Sequence, residues 1–264
     1  MSLMRPLRLG AVGFLNARPL TWALDRVQGT WDVRYDVPSV CSARLHAGEI
    51  DLGLVPSIDY LSADYRLVPE VGIGSRGAVA SVALYARRPV ESIRRVALDT
   101  SSRTSVALLR VLCRHHFGID PEFVPHGPDL AAMLEACDAG LLIGDPAFDA
   151  APGVEVTKVD LGSAWTAMTG LPFVYAAWTG RPGAAGDAEV RALQEAQAAG
   201  LAALDEIAAG YGRGDAARAA RAAAYLRDNV RYGLGPDERA GLQAFLDYAA
   251  DLGLAPGRRA LAFF

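Results

Sequence analysis

Each apolar run that reads as a strand ends in a short loop of small polar residues, and this recurrence constrains the fold more than any other feature of the chain. Arg8 to Val12 (RLGAV) leads into Gly13, Phe14, Leu15 and Asn16; Asp51 to Val55 (DLGLV) leads into Pro56 and Ser57; Val96 to Leu98 leads into DTSSRTS, Asp99 to Ser105. Strands that alternate with helices imply parallel sheets with crossover helices, and such sheets bind ligands outside the carboxyl ends of their strands. The loops are expected to converge on one crevice.

At 264 residues the chain can bury about three quarters of the surface its unfolded form exposes, enough for one large domain or two lobes without disulfide or metal staples. Its formal net charge is −4, with acids and bases mixed along the length, so it lacks the basic face of a nucleic-acid binder. Cys41, Cys113 and Cys137 are far apart and form no CxxC pair, so they read as idle thiols of a reducing compartment rather than zinc ligands. No apolar run reaches membrane-spanning length, and the first twenty residues lack a signal-peptide pattern. The expectation is a soluble cytoplasmic protein with no metal, no nucleic-acid partner and no membrane insertion.

The pattern predicts strand Leu7–Val12, a helix from Pro19 to Val27, strand Asp32–Val37, a helix over Cys41–Ala47 capped by Ser39 and stopped by Gly48, and strand Asp51–Val55. The rhythm breaks after Pro56. A second α/β unit then runs through strand Arg95–Leu98, a helix from Thr104 to Phe117 stopped by Gly118, strand Glu122–Val124, helix Asp129–Ala136 and strand Leu141–Ile143. Crossings near Ala80–Tyr85 and Phe173–Trp178 divide the chain into a discontinuous first lobe, residues 1–84 and 176–264, and a second lobe, residues 85–175. The Ala-rich helical tail from Ala184 is expected to cover the first lobe.

Gly72, Gly74 and Gly77 spell G-x-G-x-x-G, but a strand-like segment follows instead of a helix, so the pattern reads as a turn that lets backbone N–H groups approach a ligand. Thr100, Ser101, Ser102, Thr104 and Ser105 stand at a helix start, where unpaired N–H groups and the helix dipole favour an anion; one hydroxyl suffices for a cap and five are present. Arg103, Arg76 and Arg18 are each candidates to grip a carboxylate or to be plain surface charges. Asn16 sits at a strand exit facing the crevice, Ser57 and Ser75 occupy similar loops, and Ser81 lies on the first crossing. Asp145 reads equally as a ligand contact or a helix cap. The four histidines form no catalytic spacing, and Trp165 and Trp178 suit either a pocket wall or the core.

Five segments, GFLNARPL (Gly13 to Leu20), GEIDLGLVPS (Gly48 to Ser57), SRGAVASV (Ser75 to Val82), IGDPA (Ile143 to Ala147) and TGLPFVYAAW (Thr169 to Trp178), resemble in order and spacing the chorismate dehydratase family of menaquinone biosynthesis by the futalosine route. The resemblance implies an α/β fold of the two-lobed periplasmic-binding-protein type (type II), with a ligand cleft between the lobes and no cofactor. It also implies loss of water from chorismate, a dicarboxylate, to give 3-[(1-carboxyvinyl)oxy]benzoate. With no histidine or glutamate base in view, the substrate's own carboxylate is expected to take the ring proton. Asn16 and Ser81 are the expected catalytic pair, positioning the substrate and the leaving hydroxyl. Thr104 and Ser105 are expected to bind a carboxylate at the helix start. Ser57, Ser75, Gly77, Ser102, Arg103, Gly144, Asp145 and Thr169 complete the expected substrate-binding set. A sister family that makes 1,4-dihydroxy-6-naphthoate is expected to carry a histidine where this chain has Gly144. A binding or sensing protein without chemistry is the other alternative.

Overall fold

Two five-stranded sheets of the same plan carry the molecule. A computed structural model describes residues 6–26, 31–151, 153 and 155–264. The chain begins with β1 (Leu7–Val12), α1 (Arg18–Thr21), β2 (Trp31–Asp36), α2 (Pro38–Ala47), β3 (Leu52–Pro56) and β4 (Arg66–Ser75). It then enters β5 (Val82–Ala86), β6 (Arg95–Asp99), α3 (Arg103–Leu112), β7 (Glu122–His126), α4 (Leu130–Ala136), β8 (Ala139–Ile143), α5 (Gly144–Asp149), β9 (Thr157–Asp160) and α6 (Leu161–Thr169). It ends with β10 (Phe173–Gly180) and helices α7 (Asp187–Ala202), α8 (Leu204–Gly212), α9 (Ala216–Ala224) and α10 (Pro236–Asp251).

The first sheet has the order β2-β1-β3-β10-β4 and the second β7-β6-β8-β5-β9. In each, one strand, β10 or β5, runs antiparallel to both its neighbours. The chain therefore leaves the first sheet between Ser75 and Val82 and returns between Asp160 and Phe173. The expected lobe limits, 84/85 and 175/176, fall inside β5 and β10, each of which lies whole in one sheet. Both are apolar strands with neighbours on either side, and such strands carry no mark of a boundary within them.

The two crossings are strapped together. The Asp160 carboxylate accepts the N–H groups of Val79, Ala80 and Ser163 at 2.7–3.1 Å, capping α6 while holding the outgoing segment. Ala80 keeps a φ of 65° there, a conformation that is costly for a residue with a Cβ and persists where its surroundings hold it.

Local chemistry explains most helix limits. Gly48 and Gly118 take left-handed φ values of 74° and 66° where the sequence predicts stops. Pro38 opens α2 after an extended Val37 and no side chain caps it, so Ser39 lies inside the helix rather than at its cap. The helix expected over Pro19–Val27 shrinks to α1 and a 3-10 turn at Leu24–Arg26, with no side-chain cap on α1; Val27 lies outside the described residues. Trp165 and Trp178 are fully buried, and Trp165 packs edge-on against Phe173 and Phe245. Both belong to the core. Among the described residues, no helix is long and apolar enough to cross a membrane.

Candidate active site between the lobes

The strand exits of both sheets meet in a narrow cavity of about 50 Å³. Its apolar walls include Phe14, Ile73, Val82 and Ile143, and its polar groups come from Asn16, Ser102, Ser105 and Tyr175. Small-molecule pockets usually measure roughly 300–1,000 Å³, so the lobes stand closed and must part to admit a ring-sized guest. A larger hollow of about 680 Å³ lies on the flank and holds Arg18, Tyr35 and Glu206. No strand exit of the second sheet reaches it, so the interlobe cavity is the place where the fold concentrates chemistry.

Of the hydroxyl run, Ser102 and Ser105 face the cavity. Ser102 is the cap of α3: its Oγ accepts the Ser105 N–H at 3.3 Å and lies 3.1 Å from the Ser105 hydroxyl. The start of this ten-residue helix therefore opens on the cavity, with its dipole favouring negative charge there. Thr104, one residue from Ser105, points the other way. It accepts the Ile58 N–H at 3.2 Å and sits 3.4 Å from the Ser57 hydroxyl, so it joins the lobes instead of lining the cavity.

The other expected binding residues are spent on the protein. Ser57 donates to the Val174 carbonyl at 2.7 Å. Ser75 lies 3.0 Å from the Tyr175 hydroxyl, the Gly77 N–H donates to Thr166, and the Thr169 hydroxyl donates to the Trp165 carbonyl. None of them lines the cavity. The glycine pattern is likewise structural: a Cβ on Gly74 would stand 2.7 Å from the Phe173 carbonyl oxygen, so this glycine lets β4 pack tightly on β10. Gly77, at φ 85°, turns the chain toward the second lobe.

The arginines do not grip the cavity either. Arg103 reaches Asp59 at 3.0 Å, a contact between an exposed cation and a buried carboxylate. Arg103 is thus committed to the protein and not to the cavity. Arg76 pairs with Asp237, and Arg18 lies over the Tyr211 ring on the flank. Asp145 neither caps α5, whose cap residue is Ile143, nor lines the cavity. Its Oδ1 accepts the Leu15 N–H at 2.9 Å across the cleft, and burial pushes its carboxyl above the ordinary range.

Gly144 does line the cavity, with a φ of 59°; a Cβ there would meet the Phe14 ring at 2.7 Å. Phe14 and Gly144 thus close the cleft by fitting an aromatic ring against bare backbone. The thiols stand apart from this chemistry: all three are buried, and desolvation lifts Cys41 and Cys113 to about 12.

A family profile described as menaquinone biosynthesis matches residues 7–251. The chain belongs to that menaquinone biosynthesis family. A family relative, the chorismate dehydratase of Thermus thermophilus, is 35% identical over 96% of this chain and 98% of its own. Among solved structures, a protein of Archaeoglobus fulgidus superposes with a TM-score of 0.74 at 21% identity, covering 94% of this chain and 98% of that one. The periplasmic aliphatic sulphonate binding protein of Escherichia coli gives 0.66 at 22% identity, covering 97% and 90%. These likenesses confirm the two-lobed periplasmic-binding-protein fold for this family member.

Two tyrosines escaped the sequence reading. Tyr175 lines the cavity with its phenol held protonated by burial, and Tyr225 donates to Ser81 at 2.7 Å. Tyr175 sits inside the motif TGLPFVYAAW, where every second residue of β10 shares a face, so alternation alone was a usable signal. Tyr225 lies in an Ala-rich helical run that carried none.

Proposed function

We propose that this chain is a carbon–oxygen lyase that removes water from chorismate to give 3-[(1-carboxyvinyl)oxy]benzoate, in menaquinone biosynthesis by the futalosine route, in the cytoplasm. The observation that carries the reading is the 35% identity to a chorismate dehydratase across nearly the whole of both chains. The geometry agrees with it. The cavity is closed, its lining holds no acid, histidine or lysine among the described residues, and the α3 helix start supplies a place for a carboxylate.

The ring hydrogen beside the enolpyruvyl ether is acidic because its carbanion spreads through the ring double bonds onto the ring carboxylate. The enolpyruvyl carboxylate, held above that C–H, takes the proton. The neighbouring C–O bond then breaks, the ring becomes aromatic, and hydrogen and hydroxyl leave together as one water. Asn16 orients the substrate, Ser102 and Ser105 hold a carboxylate at the helix dipole, and Ser81, buried beside the cavity-lining Val82 and not in the lining itself, donates to the departing oxygen as the cleft refits around the substrate. The protein's part is to exclude water and fix one conformer. Gly144 supports this substrate over that of the sister family, since a histidine there would collide with Phe14.

The test is to mix purified protein with chorismate and follow the ultraviolet spectrum, with mass analysis of the product. Loss of one water with appearance of the aromatic benzoate is expected. Binding without conversion would overturn the reading in favour of a receptor.

A further inference from the structure

Ser81 has a partner from the far end of the chain. It is buried, its carbonyl accepts the Gly144 N–H at 2.8 Å, and its Oγ accepts the Tyr225 hydroxyl at 2.7 Å. The Tyr225 ring packs on Phe148 with centroids 4.7 Å apart. One tyrosine thus touches Ser81 on the crossing and Phe148 in the second lobe. Tyr225 opens a π-helical turn, Tyr225–Asn229, directly after α9. Such turns interrupt regular helical bonding and recur where a side chain must be re-aimed.

A serine hydroxyl has one proton and two lone pairs. With one lone pair taken by the Tyr225 proton, the hydrogen of Ser81 is left to point elsewhere. We infer that Tyr225 is a positioning residue for the dehydration: by donating to Ser81 Oγ it fixes that hydroxyl, one residue before the cavity-lining Val82, so that the Ser81 O–H is presented to the departing hydroxyl. The inference rests on the chorismate reading. Burial keeps the phenol protonated, so this donor persists across the physiological pH range.

Tyr225→Phe removes one oxygen and keeps the ring on Phe148. Its kcat is expected to fall about ten- to a hundredfold, with KM within about threefold and Tm lowered by only a few degrees. In a Ser81→Ala background the same substitution should change kcat less than twofold, because its acceptor is already gone; a purely structural role would give equal losses in both backgrounds. Should Tyr225→Phe not fold, p-aminophenylalanine at this position retains the shape with a weaker donor and is expected to lower kcat. Wild-type kcat in the substituted protein, or equal losses in both backgrounds, overturns the inference while leaving the chorismate reading intact. A wild-type protein that does not convert chorismate overturns both.

Discussion

The two lobes share one sheet plan, yet the loops that follow their equivalent strands, β1 and β6, equip the cleft differently. After β1 the chain enters a 3-10 turn and the four-residue α1, neither with a side-chain cap. That exit contributes an aromatic ring, Phe14, and an amide, Asn16. After β6 it enters the ten-residue α3, capped by Ser102, and contributes a dipole with hydroxyls beside it. A short broken helix has little dipole to offer, whereas a longer capped one attracts an anion. The second lobe is thus built to hold charge and the first to shape and hydrogen-bond what lies between. One fold used twice has divided the labour through the length and capping of a single helix.

The sharpest way to break this comparison is at Asn16. Asn16→Ala is expected to cut kcat about a hundredfold, the usual cost of one positioned hydrogen-bonding group, with Tm nearly unchanged because the side chain lines a cavity; steady-state kinetics beside a thermal melt checks both. Next comes Gly144→Ala, which places a Cβ at φ 59° and 2.7 Å from Phe14. The backbone conformation alone costs about 1–2 kcal/mol. In chemical denaturation, adding Phe14→Ala should recover the steric share but not the backbone share.

On the second lobe, Ser102→Ala should lower stability by about 1 kcal/mol through loss of the cap and raise KM more than it lowers kcat. An unchanged KM would detach the helix start from carboxylate binding. The smallest effect concerns the cross-cleft contact at Asp145. Burial raises this carboxyl above its ordinary value of 3.8, so the folded state binds the proton more tightly than the unfolded state does. Its share of stability is full at low pH and is lost as pH rises through the shifted value. Asp145→Asn keeps an acceptor for the Leu15 N–H but carries no charge. The variant should therefore melt slightly higher than wild type at neutral pH, with the gap closing as pH falls toward 3.8.

Much of the fold was legible because its signals are local. β1 begins and ends at the predicted residues, and Gly48 and Gly118 stop helices where expected, since backbone conformation is dictated by the residue that adopts it. The site was legible in part. Asn16, Ser102, Ser105 and Gly144 line the cavity and Ser81 is buried beside it, whereas Ser57, Ser75, Gly77, Arg103, Thr104, Asp145 and Thr169 serve the protein itself. In the hydroxyl run, helical spacing places residues 102 and 105 on one face and 104 on another, a distinction that a count of hydroxyls conceals. Tyr225 was beyond reach because its meaning depends on α9 arriving beside Ser81, some 144 residues away in sequence. The tail expected to cover the first lobe also grips the second, where Tyr211, Arg218 and Arg221 converge on Asp149.

The carboxylate of Asp160 has a mechanical consequence. Because it binds the outgoing crossing and the start of the returning one at once, the two connections act as a single pin rather than as two independent cords. Any parting of the lobes that keeps these bonds must turn about this point.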